Sequence, residues 1–304
     1  MSLKSDAQSL RSEPSAMLPD MKPKPVMAIV GAGNLANALA ASLHSTGYEI
    51  EAVIGCSGAA SSRRTRKLAQ EVGASAMSAM ASDLRASIVW FCVPDREIRK
   101  AAESAAEKMN WRGRIALHSS GALASDELEA LRERSASVAS VHPMMTFVRG
   151  SRPRLTGVPF AIEGDAAAVR AARQMVKDLG AIAFAIRKSE KAAYHAWGTF
   201  ASPLFTALLA TAEQVAAAAG IPKKQARTRM VPILLQTLAN YVMFGAPGGF
   251  SGPIVRGDVE TVRQHWRVLR DVPAAQEVYR ALLIAALQYL PSQNKAQLRA
   301  AVRR

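Results

Sequence analysis

The chain has 304 residues, 49% hydrophobic and 21% charged, which suits a two-domain globular protein and excludes a fibrous or wholly disordered one. No apolar run reaches the ~18 residues of a membrane span and no apolar core opens the chain, while the two cysteines, Cys56 and Cys92, lie in apolar strand-like runs; buried free thiols, no membrane partner and a cytoplasmic setting are expected. The net charge of +15 raises nucleic acid as a partner, but the basic residues are scattered among acids and form only short clusters, so a solvated basic surface is the preferred reading.

In chain order, residues 1–25 are polar, end in a Lys/Pro cluster and read as a disordered tail. From residue 26 to 187, strands alternate with helices: "VMAIV", "EIEAVIGC", "SIVWFCVP", "RIALHSSG", "SVASVH", "VPFAIEG" and "AIAFAI" are the strands. Such alternation predicts an α/β domain with a doubly wound, mostly parallel sheet. From 188 to 304 the period changes, and 189–219, 222–244, 258–270, 274–290 and 292–303 read as helices of an all-α domain. Gly220 and Pro222 mark one helix boundary, and Asp258 is placed to cap another helix.

"VMAIVGAGNLANALA" sets Gly31-x-Gly33-x-x-Ala36 between a strand and a helix, the context a dinucleotide-binding Rossmann turn requires. Gly31 allows the tight bend, Gly33 lets a diphosphate approach the backbone, and Ala36 lets the helix pack on the strand. The amides of Asn34 and Leu35 then face the phosphates at a helix N-terminus. The second strand ends "AVIGCSG" with no carboxylate for ribose hydroxyls, and Glu51 sits at its wrong end. Ser57, Arg63 and Arg64 follow, a set that suits a 2′-phosphate, so NADP is favoured over NAD.

The segments "GAGNLA", "VWFCVPD", "HSSGAL", "VHPMMTF", "EKAAYHAWGTFAS" and "FSGPIVRGDVETVRQH" together give residues 26–290 a family resemblance. The chain resembles the Rossmann-like proteins with a helical C-terminal domain of unknown function, in the 6-phosphogluconate dehydrogenase-like superfamily. Pyrroline-5-carboxylate reductase and the β-hydroxyacid dehydrogenases are distant relatives. The resemblance implies a nicotinamide cofactor and a homodimer formed through the helical domains; it implies no substrate. The chain departs from the group at Pro203, where relatives tend to carry Asn.

The helix from 189 is mostly Ala, Leu and Phe and is expected to be buried. Yet Lys191, His195, Thr199 and Ser202 recur on one face at positions i, i+4, i+8 and i+11. Pro203 deprives the Thr199 carbonyl of its helical partner and predicts a kink. Distant β-hydroxyacid dehydrogenases carry a Lys followed four residues later by Asn on this helix; Lys191 and His195 resemble that pair. The expectation is a proton delivered by Lys191 or His195 to a C=O or C=N group, with Thr199 and Ser202 contacting substrate.

His118, Ser119 and Ser120 end one strand and Val93 and Pro94 another, where open α/β sheets bind ligands. The serines are assigned to catalysis, and His118, Val93 and Pro94 to the cofactor. Asp95 reads as a helix cap and His142, at a third strand end, as structural. Arg256 is a candidate anion clamp, and no metal-ligand spacing is present. These residues suggest an NADP-dependent oxidoreductase acting on a small, anionic carbonyl or imine compound. The alternative is a non-catalytic NADP-binding regulator.

Overall fold

The computed structural model describes residues 23–55 and 58–303; Cys56, Ser57 and most of the expected tail lie outside the described residues. The chain divides into two compact units, 1–195 and 196–304. At the start of the described chain Lys24 is pinned: Nζ donates to the Thr46 carbonyl (2.7 Å) and pairs with Asp178 (2.8 Å), so the tail expectation fails at this residue.

The first unit contains β1 (Met27–Val30), α1 (Asn34–Ser45), β2 (Ile50–Ile54), α2 (Ala59–Glu71), β3 (Ser75–Met77), β4 (Ile88–Phe91), α3 (Asp95–Ala106), β5 (Ile115–His118), α4 (Glu129–Arg132), β6 (Ser137–Pro143), β7 (Pro159–Gly164), α5 (Ala166–Asp178) and β8 (Ile182–Ala185). The strands form one sheet in the order β3-β2-β1-β4-β5-β6-β7-β8. Every pairing is parallel except β6–β7. No helix separates β6 from β7, so the chain returns antiparallel; parallel pairs need a crossover.

All four residues of β1 are buried, because both faces of the sheet are covered. Met27 and Ile29 join a core with Leu39, Leu43 and Phe160; Ala28 and Val30 point the other way, to Phe91, Trp111 and Leu128. The strand β3 was absent from the sequence reading: Ser75 and Ala76 are exposed and carry no apolar alternation.

The helix α6 (Lys191–Ala201) begins in the first unit. The second unit continues with α7 (Pro203–Ala218), α8 (Lys223–Gly249), α9 (Val259–Val268), α10 (Pro273–Tyr289) and α11 (Lys295–Ala301). Its small core joins Val262, Trp266, Leu283, Leu287, Leu298 and Val302. Asp258 caps α9, accepting from the Thr261 amide at 3.1 Å. The single helix expected over 189–219 is broken rather than kinked: Ser202 has φ −127° and ψ −77°, and Pro203 starts a new helix.

The expectation of burial, made for the helix from 189, is overturned for α6 and α7, and α8 is exposed as well. Within α6 only Lys191 and Tyr194 are buried, α7 buries no residue, and α8 buries Ala226 alone. Trp197, Phe200, Ile233, Tyr241 and Val242 are all exposed. By length and composition α8 could also cross a membrane, contrary to the sequence expectation of no such run. It carries Pro232 and Pro247 and a non-helical Gly245.

Candidate active site

The bend between β1 and α1 is built as a cradle. Gly31 has φ +108°, and a Cβ there would lie 2.5 Å from the Cys92 carbonyl oxygen, so only glycine fits between β1 and β4. At Gly33 the situation is opposite: a Cβ would meet nothing within 4 Å. Gly33 is the N-cap of α1 and supplies no side-chain cap, which leaves the first-turn amides of Asn34 and Leu35 for a ligand. The Asn34 side chain turns aside and donates to the Phe147 carbonyl (3.1 Å). Ala36 is fully buried beneath the turn. These residues fit a dinucleotide diphosphate.

At the carboxyl end of β2, Gly55, Ser62, Thr65, Arg66, Ala76, Met77 and Ser78 line a cavity of about 210 Å3. Ser57 lies outside the described residues. Arg63 and Arg64 are exposed on α2 and do not line the cavity; the arginine that does is Arg66. No ion pair of Arg66 occurs among the described residues. Glu51 is spent elsewhere, its carboxylate accepting from the Ala86 amide (2.7 Å) and from Arg85. The sequence reading chose the two arginines nearest the strand end and missed that Arg66 shares a face with Ser62 at helical spacing.

Val93 flanks Gly31, 3.4 Å from its hypothetical Cβ, and Pro94 is exposed at the end of β4. Asp95 does not cap α3; Pro94 holds the cap position, and Asp95 Oδ2 accepts from the Ser120 hydroxyl at 2.6 Å. His118 is fully buried. Its Nδ1 accepts from the Ser120 amide (3.1 Å) and its Nε2 faces the Ala124 carbonyl (3.0 Å), so both ring nitrogens are used within the domain. Burial pushes this imidazole down to about 4, and it stays neutral. The Ser119 hydroxyl accepts from Trp90 Nε1 at 2.8 Å. The Ser120 hydroxyl also accepts from the Ala122 and Leu123 amides, which ties it to the turn.

Lys191 is 1% exposed. Its Nζ donates to the Ser120 carbonyl (3.0 Å) and to the Ser140 hydroxyl (2.8 Å). Burial lowers its pKa to about 8 against the opposing pull of the Glu163 and Asp95 carboxylates. Tyr194, one turn on, is buried and its hydroxyl lies 2.9 Å from His142 Nδ1. The rings of His142 and His195 meet edge to face, with centroids 6.1 Å apart. Both imidazoles close on Gly121: a Cβ there would fall 2.6 Å from His195 Cδ2 and 2.8 Å from His142 Nε2.

The first unit therefore brings together Lys191, His195 and the Ser119–Gly121 turn and adds His142, Tyr194 and Ser140 to them. The spacing of Tyr194, three residues after Lys191, was a helical-face signal in the sequence that pointed to it. Thr199, Ser202 and Arg256 belong to the second unit. There Thr199 and Ser202 are half-buried, Ser202 is the break between α6 and α7, and Arg256 is exposed in the turn before α9. Among the described residues no group of three His, Cys, Asp or Glu side chains could hold a metal.

Comparison with known proteins follows the same division. A Rossmann-like domain model matches residues 13–143, and the domain of unknown function DUF2520 matches residues 158–285. No curated protein matches significantly. Among solved structures, a Bacteroides fragilis protein provisionally described as an NADP oxidoreductase has a TM-score of 0.72 at 20% identity, over 86% of this chain and 98% of its own. An imine reductase from a Pseudomonas species has a TM-score of 0.59 at 20% identity, over 92% of this chain and 100% of its own. A pyrroline-5-carboxylate reductase from Coxiella burnetii has a TM-score of 0.55 at 15% identity, over 92% and 96%. At these identities the likeness is one of fold. Residues 13–143 are thus similar to a Rossmann-like domain and residues 158–285 to DUF2520, the combination the motifs resemble.

Proposed function

We propose that the protein is an NADP-dependent oxidoreductase that reduces a carbonyl or imine group of a small compound, or oxidises the corresponding alcohol or amine. The observation that carries this is the open cradle at Gly33 on the same edge of the sheet as the imidazoles over Gly121. From β1 to β5 is two strand spacings, about 10 Å. Phe147, which touches Asn34, is joined to His142 by only five residues of chain, at most about 18 Å. The two features lie within one dinucleotide's reach.

NADPH, when bound, would supply the hydride. The proton is the protein's task, and we assign it to His195. Lys191 is shut away from solvent with its ammonium turned to Ser120 and Ser140, so it holds the turn. His195 is exposed and lies against Gly121. In reduction the His195 imidazolium gives its proton to the oxygen or nitrogen of the substrate as hydride reaches the carbon, then recovers one from water. The fold likeness to an imine reductase and a pyrroline-5-carboxylate reductase favours turnover over a regulator without chemistry. NADP rather than NAD is supported by Arg66 in the cavity beyond β2 and by the engagement of Glu51 elsewhere.

The assembly we propose is a homodimer through the helical domain. Large apolar surface is normally covered, and α7 and α8 leave Leu204, Val215, Ile233, Leu235 and Val242 exposed. Gln236 and Asn240, paired at 2.7 Å on α8, together with the Gly245 break, suit a protein partner better than lipid.

The test is a screen of keto acids, aldehydes and imines for NADPH oxidation, with NADH as control. Turnover of at least one class, lost about 100-fold in His195→Ala, supports the reading. Absence of NADPH binding, or full turnover in His195→Ala, refutes the corresponding part. Sedimentation in detergent-free buffer should give twice the chain mass.

A further inference from the structure

We infer that Arg149 is the counter-cation of the dinucleotide's diphosphate, presented at the tip of a turn that is fastened to α1 on one side and to α2 on the other. This rests on the dinucleotide reading above and adds to it a ligand-binding residue outside the glycine bend.

The cradle carries no strong cation of its own. Residues 31–45, which make the bend and α1, include no lysine or arginine. A diphosphate there meets backbone amides and the helix dipole alone. The dipole is equivalent to about half a unit charge, and a diphosphate brings two negative ones. The space in front of the bend is open, since a Cβ on Gly33 would meet nothing within 4 Å.

The connection from β6 to β7 brings a cation to this place. The Phe147 carbonyl accepts from the side-chain amide of Asn34, the first residue of α1, at 3.1 Å. Five residues on, the Arg152 guanidinium grips both carboxylate oxygens of Glu71, the last residue of α2, with Nη2 2.8 Å from Oε2. Between these two fastenings the chain makes a tight turn. The Ser151 amide donates to the Val148 carbonyl at 3.1 Å. Gly150 has φ +82°, the sign that a type II turn requires at its third residue. Arg149 is the second residue of that turn, so it stands exposed at the tip.

Its charge is uncommitted. Among the described residues Arg149 makes no ion pair, whereas Arg152 of the same segment is taken by Glu71. Arg149 follows Phe147 by two residues, at most about 7 Å of chain, and Phe147 is bonded to the rim of the cradle. A long side chain has only that distance to cover. The planar guanidinium fork suits the oxygens of a phosphate, and fastening the turn at both ends reduces the freedom lost when it engages.

The test is titration calorimetry at low salt with NADPH, NADH and ADP-ribose, the last carrying the diphosphate without nicotinamide or 2′-phosphate. Arg149→Ala should weaken all three about 10-fold, the worth of a charge-assisted bond, with the melting temperature unchanged. The difference from wild type should shrink as salt is raised, because an exposed ionic contact is screened. Arg149→Lys should recover part of the loss. Arg154→Ala, which removes an equally exposed arginine outside the turn, should bind as wild type. Undiminished affinity in Arg149→Ala, an equal loss in Arg154→Ala, or a loss confined to NADPH each overturns this inference and leaves the dinucleotide reading standing. Wild type that binds none of the three overturns that reading and this with it.

Discussion

Lys191 and Ser120 lie 71 residues apart in sequence, and the ammonium of the first donates to the carbonyl of the second at 3.0 Å. The bond ties the start of α6 to the turn that follows β5. It also places a buried charge, held at about 8 by burial, beneath the two imidazoles. Below about pH 8 this lysine is charged in both folded and unfolded chain, and its desolvation is a constant cost to the fold. Between about 8 and its ordinary value of 10.5, the folded protein has given up the proton and the unfolded chain has not. The cost is relieved there, so stability rises with pH in that window. Urea unfolding of wild type against Lys191→Met should show the wild type gaining up to roughly 3 kcal/mol on the variant from pH 7.5 to 10.5. Parallel pH profiles would contradict the buried charge.

His118 predicts the acid limb. Its folded pKa of about 4 lies below the ordinary 6.5, so it is neutral in the fold while the unfolded chain takes up a proton. The stability this provides is complete above pH 6.5 and is lost as pH falls toward 4, by roughly 3 kcal/mol. Thermal melts from pH 7 to 4.5 should show the decline, and His118→Gln should flatten it. An unchanged slope in the variant would show that His118 protonates freely in the fold.

Arg66 should decide between the two dinucleotides. A charge-assisted bond to a 2′-phosphate contributes about 1.5–3 kcal/mol, or roughly 10- to 150-fold in affinity. Arg66→Ala should weaken NADPH by that factor and NADH by less than about 2-fold. The double variant Arg63→Ala with Arg64→Ala should act less, since neither residue lines the cavity. Equal loss of both cofactors in Arg66→Ala would remove the NADP preference.

Local patterns were readable in the sequence and long-range meetings were not. The Gly31–Ala36 turn, the β1–α1 unit and the Asp258 cap depend on residues a few positions apart, and each appears where spacing places it. The antiparallel β7 follows from a missing crossover helix, and β3 has no apolar pattern to betray it. Burial was expected of the helix from 189, yet α6 and α7 are largely exposed, because composition reveals that a surface wants cover and not what covers it. The His142–Tyr194 contact spans 52 residues, and no local signal carries it. Arg66 was passed over for arginines nearer in sequence, since distance along the chain stood in for the face of a helix.

The measurement that bears most directly on the whole account is the NADPH dissociation constant of Gly33→Ala beside its melting temperature. Gly33 has φ −79° and open space around its Cβ position, so alanine is tolerated by the fold. The added methyl would occupy the approach of the diphosphate to the backbone. Gly31→Ala is the control in the other direction, since its Cβ would strike the Cys92 carbonyl and should lower the melting temperature. The account predicts that Gly33→Ala melts with wild type and binds NADPH at least about 10-fold more weakly, a loss of roughly 1.4 kcal/mol. Wild-type affinity in that variant would contradict it.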